Sequence, residues 1–142
     1  MPKVNIYLNF DGNAEEAFNF YKSVFGGEFA MVMRFKDTPD SEKMPADVQD
    51  KIMHIGLPLA PGSVLMGSDI MEGMGEPFKV GTNLSISLST ESKEESDRLF
   101  AGLSAGGKAD MPMQTTFWGS YFGMLTDQFG IQWMVDYDEN YQ

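Results

Sequence analysis

The 142 residues suffice for one compact core or two small fused ones, and 42% hydrophobic with 13% aromatic residues argue for a folded chain. A formal charge of −11, with no Lys/Arg-rich stripe, repels a phosphate backbone, so nucleic acid is not expected as a partner. The chain has no cysteine, which excludes disulfides and thiolate chemistry; with no signal-peptide pattern and no run of about 18 apolar residues, a cytoplasmic protein away from membranes is expected.

Strict alternation of Val4, Ile6, Leu8 and Phe10 against Asn5, Tyr7 and Asn9 predicts a half-buried first strand over 4–10. Asp11-Gly12-Asn13 supplies turn and N-cap chemistry for a helix over 14–25, with Ala17, Phe20, Tyr21 and Val24 on one stripe and Gly26-Gly27 ending it. Residues 29–35 read as a second strand. The polar segment 36–51, with Pro39 and Pro45, reads as a mobile surface loop suited to a lid. Strands over 52–59 and 63–68, joined through Ala60-Pro61-Gly62, complete a βαβββ order.

Residues 69–81, rich in Gly and without periodicity, suit a linker. The pattern then restarts: Leu84, Ile86 and Leu88 alternate with serines, and a helix over 90–103 turns Leu99, Phe100 and Leu103 inward before Gly106-Gly107. Ile6 to Ile86, Leu8 to Leu88 and the two double glycines are each displaced by 80, the helices fit better at 79, and Gly62 to Gly130 and Met66 to Met134 are displaced by 68. An internal repeat accounts for these offsets, with modules at 3–68 and 82–138 in a single domain spanning 1–142.

The run Tyr7 to Ala17 (YLNFDGNAEEA), then Phe20-Tyr21-Lys22 and Phe25-Gly26-Gly27, resembles the opening of the PhnB-like branch of the glyoxalase/bleomycin-resistance (vicinal oxygen chelate) superfamily. Thr116-Phe117-Trp118-Gly119, Tyr121-Phe122-Gly123 and the stretch from Asp127 to Trp133 resemble that branch's second signature, so the likeness spans the chain. It implies an α+β fold in which two tandem βαβββ modules form a curved mixed sheet around a cup-shaped cavity, commonly in a homodimer. Helices would cover the apolar face of each first strand, leaving Asn5, Tyr7, Asn9, Ser85, Ser87 and Ser89 to line the cup.

Catalytic members of the superfamily hold a divalent metal with His and Glu side chains from the first and last strands of each module. The matching positions here are Asn5, Met66, Ser85 and Met134, none a good ligand for such an ion. No metal and no cofactor are therefore expected. His54, the only histidine, is the candidate catalytic residue or ligand contact, although a lone histidine satisfied by the backbone is the commoner situation. Trp118 and Tyr121, within an aromatic concentration flanked by methionines, suit a flat or apolar organic ligand, although most such residues serve a core.

Three functions remain open. One is a protein that binds a small molecule without metal. Another is an enzyme, either metal-assisted (a lyase, isomerase or dioxygenase) or using His54 or Tyr7 for proton transfer. The third is an assembly module whose cup is filled. Relatives with this pattern also carry a demethylubiquinone methyltransferase label, yet no Gly-rich strand-to-helix turn followed by an acidic residue is present to hold a methyl donor's nucleoside.

Overall fold

A computed structural model describes residues 1–71 and 77–141, which divide into two compact units, Met1–Phe78 and Lys79–Gln142. In the first unit β1 (Ile6–Phe10) leads into α1 (Ala14–Phe25) and β2 (Met31–Arg34). The chain then passes through single 3-10 turns at Phe35–Asp37 and Ser41–Lys43 and the short α2 (Ala46–Gln49) before β3 (Ile52–Ala60) and β4 (Ser63–Asp69). The expected surface loop over 36–51 is thus largely a chain of helical turns. Its two ends are held together where the Arg34 guanidinium donates to the Asp50 carbonyl and the Lys36 ammonium to the Asp50 carboxylate.

The sheet order is β1-β4-β3-β2, with β1 parallel to β4 and the other neighbours antiparallel. Helix α1 packs on one face, burying Ala14, Ala17, Phe18 and Tyr21 against Leu8, Phe10, Ile55, Leu57 and Leu65. The stripe is rotated from the expected one: Phe18 is buried, while Phe20 and Val24 are half-buried. Gly67 makes the room: a Cβ there would lie 2.7 Å from both the Leu8 carbonyl oxygen and a Phe18 ring carbon. The helix start also differs from expectation. Asn13 makes no side-chain cap; instead the buried Asp69 carboxylate accepts from Ala14 N and Ile52 N, both at 2.9 Å, tying the helix start to the beginning of β3. Asp69, expected to open the linker, is therefore the last residue of β4; residues 72–76 of that linker lie outside the described residues.

The second unit runs β5 (Ile86–Ser89), α3 (Lys93–Ser104), β6 (Lys108–Thr115), β7 (Tyr121–Thr126) and β8 (Gln132–Tyr137), in the sheet order β5-β8-β7-β6. The repeat extends to register. Ile6 pairs with Leu65 and Ile86 with Trp133; Tyr7 pairs with Met66 and Ser87 with Met134, so displacements of 80 and 68 reproduce the parallel ladder residue by residue. The helices are displaced by 79 at both ends. Both sheets are open, since β1, β2, β5 and β6 each have one unpaired edge among the described residues.

Helix α3 starts at Lys93 because Ser92 caps it, its hydroxyl accepting from Glu95 N at 3.0 Å while Glu95 reaches back to Glu91 N. Thr90, expected inside the helix, lies ahead of that cap and meets the Ser96 hydroxyl at 2.5 Å. Val4 and Leu84, expected within first strands, lie outside the ladders and are 95% and 74% exposed.

Candidate functional site

Because side chains alternate along a strand, each helix-covered face leaves an opposite, open face. In the first unit Tyr7 and Asn9 of β1 share that face with Met66 and Ser68 of β4, His54 and Gly56 of β3, and Met31 and Met33 of β2, as their pairings require. The Tyr7 hydroxyl lies 3.3 Å from His54 Nδ1, with ring centroids 5.6 Å apart. Two residues singled out from sequence, 47 positions apart, are thereby neighbours on one surface. Tyr7 is 44% exposed and Asn9 is exposed, so the face presents a phenol, an imidazole and an amide among thioethers. Asn5 precedes β1 and stands outside the ladder.

In the second unit Ser87, Met134, Met124 and Met111 form one continuous cross-strand row on the open face. The next row is Ser89, Asp136, Phe122 and Gln114. Trp118 joins this surface from the turn over 116–120, which is closed by the Thr116 hydroxyl: it donates to the Ser120 carbonyl and accepts from Ser120 N. Gly119, at φ 98°, supplies the left-handed conformation that turn needs. The Trp118 ring meets Phe117 edge-on at 4.9 Å and lies 6.1 Å from Phe122.

Tyr121 belongs elsewhere. It faces α3, where its hydroxyl donates to Asp97 Oδ1 at 2.6 Å and the Lys93 ammonium sits 5.4 Å over its ring. The hydrogen bond to Asp97 holds the phenol above its ordinary pKa, because the ionised tyrosine would lose that bond and face a carboxylate. Ser85, like Asn5, precedes its strand. Asp136 was not selected from the sequence as a site residue, although its position three residues beyond the inward Trp133 places it by alternation on the open face.

A chelated metal of the kind the superfamily uses needs several imidazole or carboxylate donors. Here β4 and β8 offer the thioethers of Met66 and Met134, and the register sets Tyr7 and Ser87 beside them rather than Asn5 and Ser85. The first open face has one imidazole and no carboxylate in these strand pairings, and the second has no imidazole and two separate carboxylates, Asp136 and Asp110, the latter bonded to the Thr126 hydroxyl. This donor set does not fit such a metal. A cavity of about 500 Å³ also lies in the first unit beneath α2, lined by Asp11, Phe35, Val48, Lys51, Asp69 and Ile70 among others. Its inner polar groups are occupied by the fold, since Lys51 donates to the Gly12 carbonyl and Asp69 holds two backbone N–H groups.

Residues 2–136 match the family described as 3-demethylubiquinone-9 3-methyltransferase. The chain is 33% identical over 138 residues to Protein YjdN of Escherichia coli (strain K12), covering 92% of this chain and 91% of that protein. It is similar to the solved structure of protein PA1353 from Pseudomonas aeruginosa, at 40% identity and a TM-score of 0.84 over 97% of this chain and 98% of that one. A Bacillus cereus structure described as a putative 3-demethylubiquinone-9 3-methyltransferase, PhnB protein, is 27% identical with a TM-score of 0.73, over 96% and 99% of the two chains. A glyoxalase/bleomycin resistance protein from Albidiferax ferrireducens T118 shares the fold at 14% identity and a TM-score of 0.63, over 94% and 95%. With the paired βαβββ sheets already described, these likenesses place the chain in the 3-demethylubiquinone-9 3-methyltransferase family, the PhnB-like branch of the glyoxalase/bleomycin-resistance superfamily.

Proposed function

We propose that the protein binds a small organic ligand on the open faces of its sheets without the help of a metal. The observation that carries this reading is the composition of those faces. Tyr7, His54 and Asn9 in one unit, and Ser87, Asp136 and Trp118 in the other, stand among methionine thioethers, the mixture of adaptable apolar surface and few polar groups that small-molecule sites use. The family's methyltransferase description is not carried over to an activity, because the sequence lacks a turn that would seat a methyl donor's nucleoside. A homodimer in the cytoplasm belongs to the same proposal. The family supports the dimer, and the absence of cysteine agrees with a reducing compartment.

A fragment screen by thermal shift, followed by titration of any compound that raises the unfolding temperature, tests the reading. Asn9→Ala, His54→Ala and Trp118→Ala are expected to weaken binding of such a compound; unchanged affinity in all three would remove these faces from the site. Elemental analysis of protein purified without chelator is expected to find no stoichiometric nickel, zinc, manganese or iron. One equivalent of any of them would overturn the metal-free part.

A further inference from the structure

On the second open face, Asp136 stands between Ser89 of β5 and Phe122 of β7. Its main-chain carbonyl is used by Thr90 N at 2.9 Å, but its carboxylate has no hydrogen bond or ion pair among the described residues. Directly paired side chains of neighbouring strands have their Cβ atoms about 5 Å apart, which sets this carboxylate beside the Phe122 ring. The Trp118 ring lies 6.1 Å from the Phe122 ring and is 58% exposed, in contact with the almost fully exposed Phe117.

No cationic side chain of this unit, the exposed Lys79 included, forms an ion pair with the carboxylate among the described residues. Lys93 lies over Tyr121 on the helix side, Arg98 is carried by α3, and Lys108, at the far end of β6, is 3.8 Å from Asp110. A carboxylate unpaired among the described residues, beside an aromatic ring that a second ring adjoins, is complementary to a cation that also has apolar surface: the carboxylate supplies charge, and the ring faces attract the same charge through their quadrupoles. The thioethers of Met124 and Met134, one row away, extend this surface with polarizable contacts. The formal charge of −11 draws a cation toward the whole molecule.

We infer that the surface formed by Asp136, Phe122 and Trp118 is a binding site for an organic cation, an ammonium group carrying apolar substituents. This inference rests on the small-ligand reading above and names the chemical class for one of its two faces. Choline and 3,3-dimethylbutan-1-ol, which share a shape and differ in charge, test it by NMR titration of the full chain up to about 10 mM, the range in which weak contacts are read. Choline is expected to shift the Trp118 indole and Met124 methyl signals, with affinity about tenfold above that of the neutral alcohol. Asp136→Asn, close to isosteric, should erase that preference, whereas Trp118→Ala should weaken both compounds.

Equal affinity of the two compounds for the native protein, or a preference that survives Asp136→Asn, overturns the cation site and leaves the small-ligand reading intact. Silence of both compounds at these signals also refutes the cation site. The wider reading fails only if the fragment screen finds no compound that depends on Asn9, His54 or Trp118.

Discussion

Asp127 concentrates three hydrogen bonds on one carboxylate: Oδ1 accepts from Phe129 N and Ile131 N, at 2.8 and 3.0 Å, and Oδ2 accepts from Trp133 Nε1 at 2.8 Å. The residue is only 3% exposed, so removing the carboxylate would leave the buried Trp133 indole N–H and two half-buried backbone N–H groups without this partner. Asp127→Ala is expected to lower stability by about 2–4 kcal/mol in chemical denaturation, with quenched near-UV signal from a loosened Trp133. A loss below measurement would mean that water replaces the carboxylate. Glu15 and Arg34 form the other residue-scale test. Arg34 Nη1 and Nη2 reach Oε1 and Oε2 of Glu15 at 3.0 and 2.5 Å, and this hydrogen bonding holds the Glu15 pKa below its ordinary 4.5. A carboxyl whose folded value is depressed stabilises the fold above the ordinary value and loses that contribution as pH falls through the lowered one. With Glu15 half exposed, Glu15→Gln should cost less than about 1 kcal/mol at neutral pH. The variant and native unfolding midpoints should then draw together as pH falls from about 4.5 and meet below the lowered value; a gap that persists into stronger acid would assign the loss to packing instead.

At the scale of elements, Gly67 governs how closely α1 approaches its sheet. A methyl group there would meet both the Leu8 carbonyl on the paired strand and the Phe18 ring, and the carbonyl cannot move without disturbing the β1–β4 ladder. Gly67→Ala should destabilise the first unit by about 1–3 kcal/mol, seen as faster amide exchange in α1 and β4. Unchanged exchange would show that Phe18 alone can yield. The element order, the helix over 14–25 and the internal displacements were legible because periods of two and 3.6 and paired glycines are local signals. Partners distant in the chain were not. The helix start looked like the work of Asn13, whereas Asp69 performs it from 55 residues away. Tyr121 looked like a neighbour of Trp118 because it is close in sequence, yet strand alternation sends it to α3 and its successor Phe122 to the open face. His54 and Tyr7 were each legible by alternation, but their contact depends on sheet order, which no local pattern encodes.

For the molecule as a whole, a resident metal would add to folding stability in proportion to its affinity, so a chelator is a sensitive probe. Thermal unfolding with and without EDTA is expected to give the same midpoint; a fall of several degrees on chelation would mean that an ion contributes to the fold. Among the described residues no helix is long and apolar enough to cross a membrane. The two sheets repeat one register, but their open faces differ in relief. Where β7 carries Met124, the matching position of β3 is Gly56, and a Cβ built there would touch only Val64 and Met66 side chains at 3.6 and 3.9 Å. One surface is ridged where the other is notched. Neither position contributes a side chain to the helix-facing core, and at Gly56 a methyl group would fit at ordinary contact distances. A repeated scaffold of this kind offers two open faces that selection can diversify separately, while the cores that keep the chain folded stay as they are.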